Sequence, residues 1–117
     1  MSVVKNIDGL KEIFQNYDTF ILDQWGVMHD GYNGYPEAIN CIYSLISNKK
    51  KLIIISNSSK KKNSTSKRLP SFGFNHNQFI EIMTSGEMVW KNLIDDVFVK
   101  DKKLGKNCFH IFDISKE

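Results

Sequence analysis

The sequence of 117 residues has little cysteine, almost no arginine and no long apolar run. Cys41 and Cys108 lack CxxC spacing, which excludes a disulfide framework and a cysteine zinc site, so we interpret both as reduced thiols. The longest aliphatic run, residues 52–55, is too short to cross a bilayer, and the first residues have no apolar signal region. We therefore expect a cytoplasmic protein with no membrane partner.

Charge is nearly balanced, with 16 basic and 13 acidic residues and a formal net charge of +3. Arg68 is the single arginine, although arginine is the residue favoured for bidentate phosphate contacts. The one basic cluster, residues 60–62 with Lys67 and Arg68, has no interleaved aromatic residue. We interpret it as a solvated helix face and expect no nucleic-acid partner.

The remaining composition, 41% hydrophobic and 25% charged, is typical of one soluble globular domain. Short apolar runs alternate with segments of helical spacing, and this predicts the order α-β-α-β-α-β-α-β. Such alternation implies a parallel sheet with helical crossovers, an α/β, Rossmann-like three-layer α/β/α sandwich with a mostly parallel sheet. We predict strands at residues 19–23, 52–55, 80–83 and 108–114. We predict helices at residues 8–16, 36–48, 61–68 and 84–93, the last opened by a Thr84–Glu87 capping box and carrying Trp90 in the core.

Polar residues follow the first two predicted strands, since Asp23 ends one and Ser56 and Asn57 end the other. Neighbouring parallel strands end at the same sheet edge, where open α/β sheets bind ligands. A carboxylate there can bind Mg²⁺ or act as a nucleophile, and a hydroxyl with nearby backbone N–H groups can hold a phosphate. Each residue alone is equally typical of a turn. Together they favour phosphoryl chemistry.

Several ordered motifs resemble those of the haloacid dehalogenase-like hydrolases. Residues 23–31, Asp-Gln-Trp-Gly-Val-Met-His-Asp-Gly, resemble the first motif of that family, and residues 53–59, Ile-Ile-Ile-Ser-Asn-Ser-Ser, resemble the second. Residues 34–39 and 83–87, with Gly73-Phe74 between them, resemble the class IIA branch, which includes the 4-nitrophenyl-phosphatase-like sugar and cofactor phosphatases. The resemblance extends from about Asp8 to Phe112.

This resemblance implies a Mg²⁺-dependent phosphohydrolase acting on a small phosphorylated metabolite. Asp23 would be the nucleophile that forms an aspartyl-phosphate, and it would also bind the metal together with the backbone carbonyl of Trp25. Ser56 and Asn57 would hydrogen-bond the phosphoryl oxygens. Gly26 would join in phosphate binding, at the start of a flap formed by residues 26–35.

The first departure from the family pattern is Trp25, which stands where most members carry an aspartate that exchanges protons. An indole N–H only donates a hydrogen bond and cannot move protons. A subgroup of class IIA carries Asp-x-Trp-Gly-Val at this place, so the change is typical of that subgroup. We expect weak, leaving-group-dependent hydrolysis and a long-lived acyl-phosphate. His29 is a candidate substitute acid or base, and its alternative is a flap histidine that faces solvent or caps a turn.

The second departure is that residues 91–117 match none of the family's later motifs. The cap domain, the lysine of motif III and the acidic pair of motif IV would all follow this point. We therefore expect residues 1–117 to be the N-terminal part of an incomplete core, from a longer protein or a truncated gene product. A sheet edge or face left uncovered by such a half-core predicts self-association as a homo-oligomer. The alternative function is a non-catalytic phosphate-binding or scaffold protein.

Overall fold

The computed structural model describes residue 4, residues 6–95 and residues 107, 109 and 111. These residues form a parallel sheet in the order β1-β2-β3, with β1 at Thr19–Leu22, β2 at Lys51–Ser56 and β3 at Glu81–Thr84. The α-helices are α1 at Pro36–Ser47, α2 at Lys62–Arg68 and α3 at Ser85–Asp95. Short 3₁₀ helices span Leu10–Glu12, Phe14–Asn16, Leu69–Phe72 and His76–Gln78. None of the described helices is long and apolar enough to cross a membrane.

The parallel sheet confirms the predicted α/β class. It also places β1 beside β2, as predicted for the strands that precede Asp23 and Ser56. Leu22, Ile54 and Ile82 stand in register across the three strands. Each strand fits its place because a short β-branched or aromatic run suits a pleated, buried surface. The carboxyl ends of β1 and β2 therefore meet at one edge of the sheet.

The core lies on one face of this sheet, against which α1 and the segment after α2 pack. On the opposite face, Ile21 is 63% exposed and Ile55 is 49% exposed. Parallel strands covered by helices on both faces bury such residues, so one face is left open by the described residues. Self-association through an uncovered sheet edge or face stays a prediction. The residues buried in the core include Phe20, Leu52, Ile54, Ile82, Ile42, Leu45, Leu69 and Phe74.

Two sequence predictions were wrong in this part of the chain. Residues 8–16 do not form one α-helix but two 3₁₀ turns, Leu10–Glu12 and Phe14–Asn16, because so short a segment rarely sustains a helix without deep burial. Trp90 is not in the core, since its side chain is 41% exposed and the Lys61 ammonium lies 3.4 Å from its ring centroid. The strand predicted at 108–114 lies outside the continuously described residues.

Candidate active site

A cleft of about 400 Å³ opens beyond the carboxyl ends of β1 and β2. Asp23 and Ser56 both line this cleft. They are neighbours because Leu22 pairs with Ile54, and Asp23 and Ser56 follow that pair by one and two residues. The structure also brings Trp25, His29 and Asn57 to this cleft, so that five of the six predicted site residues share it. The other lining residues are Gln24, Ser58, Lys60, Thr65, Arg68 and Phe72.

The side chains of Ser56 and Asn57 are each fixed by one hydrogen bond. Ser56 is buried at the end of β2, and its Oγ accepts a hydrogen bond from the Ser58 N–H at 3.3 Å. The Oδ1 of Asn57 accepts from the Ser85 hydroxyl at 2.9 Å. An amide whose oxygen is occupied still has its N–H₂ donors, which suit an anionic oxygen.

The turn between β3 and α3, residues 84–87, holds the loop that follows β2. The Gly86 N–H donates to the Ser58 carbonyl at 3.0 Å, and the Thr84 hydroxyl donates to the Lys60 carbonyl at 2.6 Å. The two segments approach so closely that a Cβ on Gly86 would lie 2.0 Å from the Ser59 carbonyl oxygen. Only glycine fits at this position without moving the loop.

The predicted capping box at residues 84–87 is half correct. Thr84 does cap α3, since its hydroxyl oxygen accepts from the Glu87 N–H at 3.0 Å. The reciprocal bond does not form, because the buried Glu87 carboxylate accepts from the Lys62 N–H at 3.1 Å instead. Lys62 begins α2, so Glu87 satisfies one of the unpaired N–H groups at that helix end and favours it electrostatically.

The flap, residues 26–35, folds over one side of the cleft and is anchored by Met28, which is almost fully buried. Gly26 adopts a φ of +75° and its N–H donates to the His29 carbonyl at 2.8 Å. That N–H is therefore engaged within the flap, and Gly26 does not contribute to the lining of the cleft. A phosphate contact by Gly26 stays a prediction that this arrangement does not favour.

His29 is buried between the flap and the Leu69–Phe72 turn, with its ring stacked on Phe72 at a centroid distance of 4.0 Å. Its Nδ1 accepts a hydrogen bond from the Gly31 N–H at 3.0 Å, which places the proton of the neutral ring on Nε2. Burial, and after it the Arg68 charge, lower the pKa of His29 below 6.5 against the opposing effect of nearby carboxylates. The lowered pKa and the bond to Nδ1 both disfavour uptake of a proton by this ring. The geometry favours the turn-capping interpretation over the acid–base one.

Four residues that line the cleft were not predicted from the sequence as site residues, namely Lys60, Thr65, Arg68 and Phe72. The basic cluster was interpreted as a solvated face, yet Arg68 Nη2 donates to the Gly31 carbonyl at 3.3 Å and its guanidinium lies 5.2 Å from the Phe72 ring centroid. Thr65 and Arg68 are three residues apart in α2 and so lie on one face of that helix, whereas Phe72 lies in the 3₁₀ turn that follows it. Local spacing does not show that any of the four faces the cleft.

The described residues contain no group of three or more His, Cys, Asp and Glu that could hold a metal ion. Asp23 lines the cleft and has a carboxylate that can donate oxygen, and Trp25, whose backbone carbonyl is the second predicted donor, lines it too. Mg²⁺ is usually bound through one or two carboxylates together with substrate phosphates and water. This donor set therefore fits Mg²⁺ bound jointly with a phosphate.

Comparison with known proteins gives the family of the chain. A sequence model of the haloacid dehalogenase-like hydrolases matches residues 20–112, which include Asp23, Ser56 and Ser85. The chain belongs to this family. A crystal structure of a haloacid dehalogenase-like family hydrolase from Brucella suis 1330 has a TM-score of 0.65 and 26% sequence identity, over 75% of this chain and 33% of that one. This haloacid dehalogenase-like chain thus corresponds to about a third of the length of that structure. A search of curated proteins found no match to this chain.

Proposed function

We propose that this chain carries the nucleophile and the phosphate-binding loop of a Mg²⁺-dependent phosphohydrolase of class IIA. The observation that carries the proposal is the meeting of Asp23 and Ser56 in one cleft at the ends of adjacent parallel strands. Membership of a hydrolase family supports the reaction type. The substrate class would be small phosphorylated metabolites, because the cleft of about 400 Å³ suits small molecules.

The reaction would take two steps at Asp23. In the first, a carboxylate oxygen of Asp23 attacks the phosphorus, the ester P–O bond breaks, and the alcohol or phenol leaves after taking a proton from solvent where it needs one. The Ser56 hydroxyl and the Asn57 amide donate hydrogen bonds to the phosphoryl oxygens. In the second step, water attacks the phosphorus and the bond to Asp23 breaks, which releases inorganic phosphate and restores the carboxylate.

The metal site would consist of the Asp23 carboxylate and the Trp25 carbonyl, completed by phosphate and water oxygens. Bound Mg²⁺ supplies positive charge that offsets the negative charge of the phosphoryl oxygens near Asp23. The chain's own part is to hold the Asp23 carboxylate near Ser56 at the carboxyl edge of the sheet, where Asp23 directly follows β1 and Ser56 ends β2.

Proton transfer is the weak point of this site. The Trp25 indole cannot exchange protons, and His29 has a lowered pKa and an Nδ1 that already accepts from the Gly31 N–H. Esters whose leaving group departs without a proton should therefore react faster than alkyl phosphates. The same deficiency should slow attack by water, so the aspartyl-phosphate should accumulate.

The second candidate function is a phosphate-binding or scaffold protein that no longer turns over substrate. The specific observation in its favour is Trp25, which lines the cleft with an indole that cannot exchange protons. This candidate keeps Ser56 and Asn57 as phosphate ligands and dispenses with attack by Asp23.

The deciding experiment measures phosphate release from 4-nitrophenyl phosphate with Mg²⁺, for wild type, Asp23→Asn and Asp18→Asn. We expect release by wild type, none by Asp23→Asn, and a wild-type rate for Asp18→Asn, whose exposed carboxylate is outside the cleft. Intact-mass analysis of the quenched wild type should show a phosphorylated protein. Phosphate binding without release or adduct would instead support the scaffold function.

A further inference from the structure

The cleft carries two positively charged side chains that the proposed hydrolysis does not use. Lys60 and Arg68 line it together with Asp23, and we call them the cationic wall. Lys60 comes from the loop after β2, while Arg68 ends α2, so two separate segments bring positive charge to the same space. A phosphoryl group at Asp23 and Ser56 would leave this wall available for another part of the ligand.

Arg68 is held in place before any ligand binds. Its Nη2 donates to the Gly31 carbonyl at 3.3 Å, and its guanidinium lies 5.2 Å from the Phe72 ring centroid. Arginine has five N–H donors in a rigid fork, so one bond to Gly31 leaves others for an anion. A guanidinium already fixed in this way loses little conformational entropy when it binds a carboxylate or phosphate.

The position of Arg68 also favours an anion in the cleft. Its guanidinium lies beside the Phe72 ring on which the His29 ring stacks. A positive charge fixed at the wall of a cleft attracts negatively charged groups into it. The cleft of about 400 Å³ is also larger than one phosphoryl group requires.

We propose that Arg68, assisted by Lys60, binds a second anionic group of the substrate, a carboxylate or a second phosphate. This inference rests on the proposed function, which places the reacting phosphoryl group at Asp23 and Ser56. The competing role is structural, because the contact with Gly31 also ties α2 to the flap. The two roles differ in whether a change at Arg68 affects all phosphate esters or chiefly those with a second negative charge.

The test compares two probes that differ in one charge, 3-phosphooxypropanoate and its uncharged amide. Their dissociation constants are measured by calorimetry in the presence of Mg²⁺ for wild type, Arg68→Gln and Lys67→Gln. Lys67→Gln removes the same charge from the same helix at an exposed position outside the cleft. We expect wild type and Lys67→Gln to bind the carboxylate probe about tenfold more tightly than the amide, as a charge-assisted hydrogen bond would give.

In Arg68→Gln this preference should fall to about twofold or less. Lys60→Gln is the second variant, which leaves the Gly31 contact intact and should lower the preference partially. Three outcomes would overturn the proposal. Arg68→Gln could weaken the binding of both probes equally, wild type could bind the two probes equally well, or wild type could bind neither. Because the readout is binding, the two proposals can fail separately. A preference for the carboxylate probe without phosphate release would support the anion subsite and refute the phosphohydrolase. Phosphate release without that preference would support the phosphohydrolase and refute the subsite.

Discussion

The Ser85 hydroxyl donates a hydrogen bond to the Oδ1 of Asn57 at 2.9 Å, which joins two segments 28 residues apart in sequence. Asn57 follows β2 and lines the cleft, whereas Ser85 begins α3. The bond turns the oxygen of the Asn57 amide toward α3 and so leaves its nitrogen as the group able to meet a phosphate. A residue outside the cleft thus determines which atom of Asn57 a ligand meets.

Ser85→Ala should therefore weaken phosphate binding without much effect on folding. Loss of the bond lets the Asn57 amide rotate, and we expect KM for 4-nitrophenyl phosphate to rise about fivefold, with the free energy of unfolding lower by about 1 kcal/mol at most. Ser47→Ala is the matched control, because it removes an exposed hydroxyl bonded to the Tyr43 carbonyl on α1, away from the cleft. An unchanged KM in Ser85→Ala would show that Asn57 does not contact the phosphate.

Gly86→Ala should damage both stability and the site, because the added Cβ would lie 2.0 Å from the Ser59 carbonyl oxygen and 2.7 Å from that of Lys60. The backbone of the loop after β2 has to move, which typically costs about 1–3 kcal/mol. Urea unfolding should give a lower free energy of unfolding than in wild type, and KM for 4-nitrophenyl phosphate should be higher. Gly9→Ala serves as control, since a Cβ there meets nothing within 4 Å and both quantities should stay unchanged.

The stability of the fold should depend on pH through His29. Burial lowers the pKa of His29 in the folded chain below the value of 6.5, so the unfolded chain binds the proton more readily. The free energy of unfolding should then be highest above pH 6.5 and should fall as the pH drops from 6.5 through the lower folded pKa. The measurement is urea unfolding at a series of pH values.

His29→Asn should flatten that dependence, because its Oδ1 can replace Nδ1 as acceptor for the Gly31 N–H and does not titrate. His76→Asn, the same substitution at an exposed position outside the cleft, should keep the wild-type dependence and is the matched control. A steep fall that persists in His29→Asn would assign the pH dependence to another group.

Trp25→Asp should give the proposed enzyme the proton carrier that it lacks. Trp25 is 67% exposed and lines the cleft, so a smaller polar side chain is tolerated and stays near the leaving group. General acid catalysis is worth roughly a hundredfold or more, and the gain should be greater for alkyl than for aryl phosphates. Trp25→Asn is the matched control, because the asparagine side chain is nearly the same size as aspartate but has no carboxyl proton to exchange. It should give no gain in rate. Equal turnover of aryl and alkyl phosphates by wild type would contradict this account.

Local sequence patterns predicted most of the fold that positions the site. The apolar runs at 19–23 and 52–55 were confirmed as β1 and β2, since a short β-branched run bounded by polar residues has few other ways to be buried. The pattern at 8–16 was misleading, because helical spacing alone does not sustain a helix of that length without packing. Trp90 was misassigned because residue type predicts burial only where another element covers the residue.

The sequence by itself determined the order of strands and helices from β1 to α3 and the placement of Asp23 and Ser56 just after strand ends. Periodicity, turn residues and apolar runs are properties of neighbouring residues, so they can be recognised along the chain. The tertiary structure alone decided that Glu87 would cap α2 through Lys62, 25 residues away, and not its own helix. It also decided that Arg68 would line the cleft. Both depend on how separate segments pack, and no local spacing encodes the distance between them.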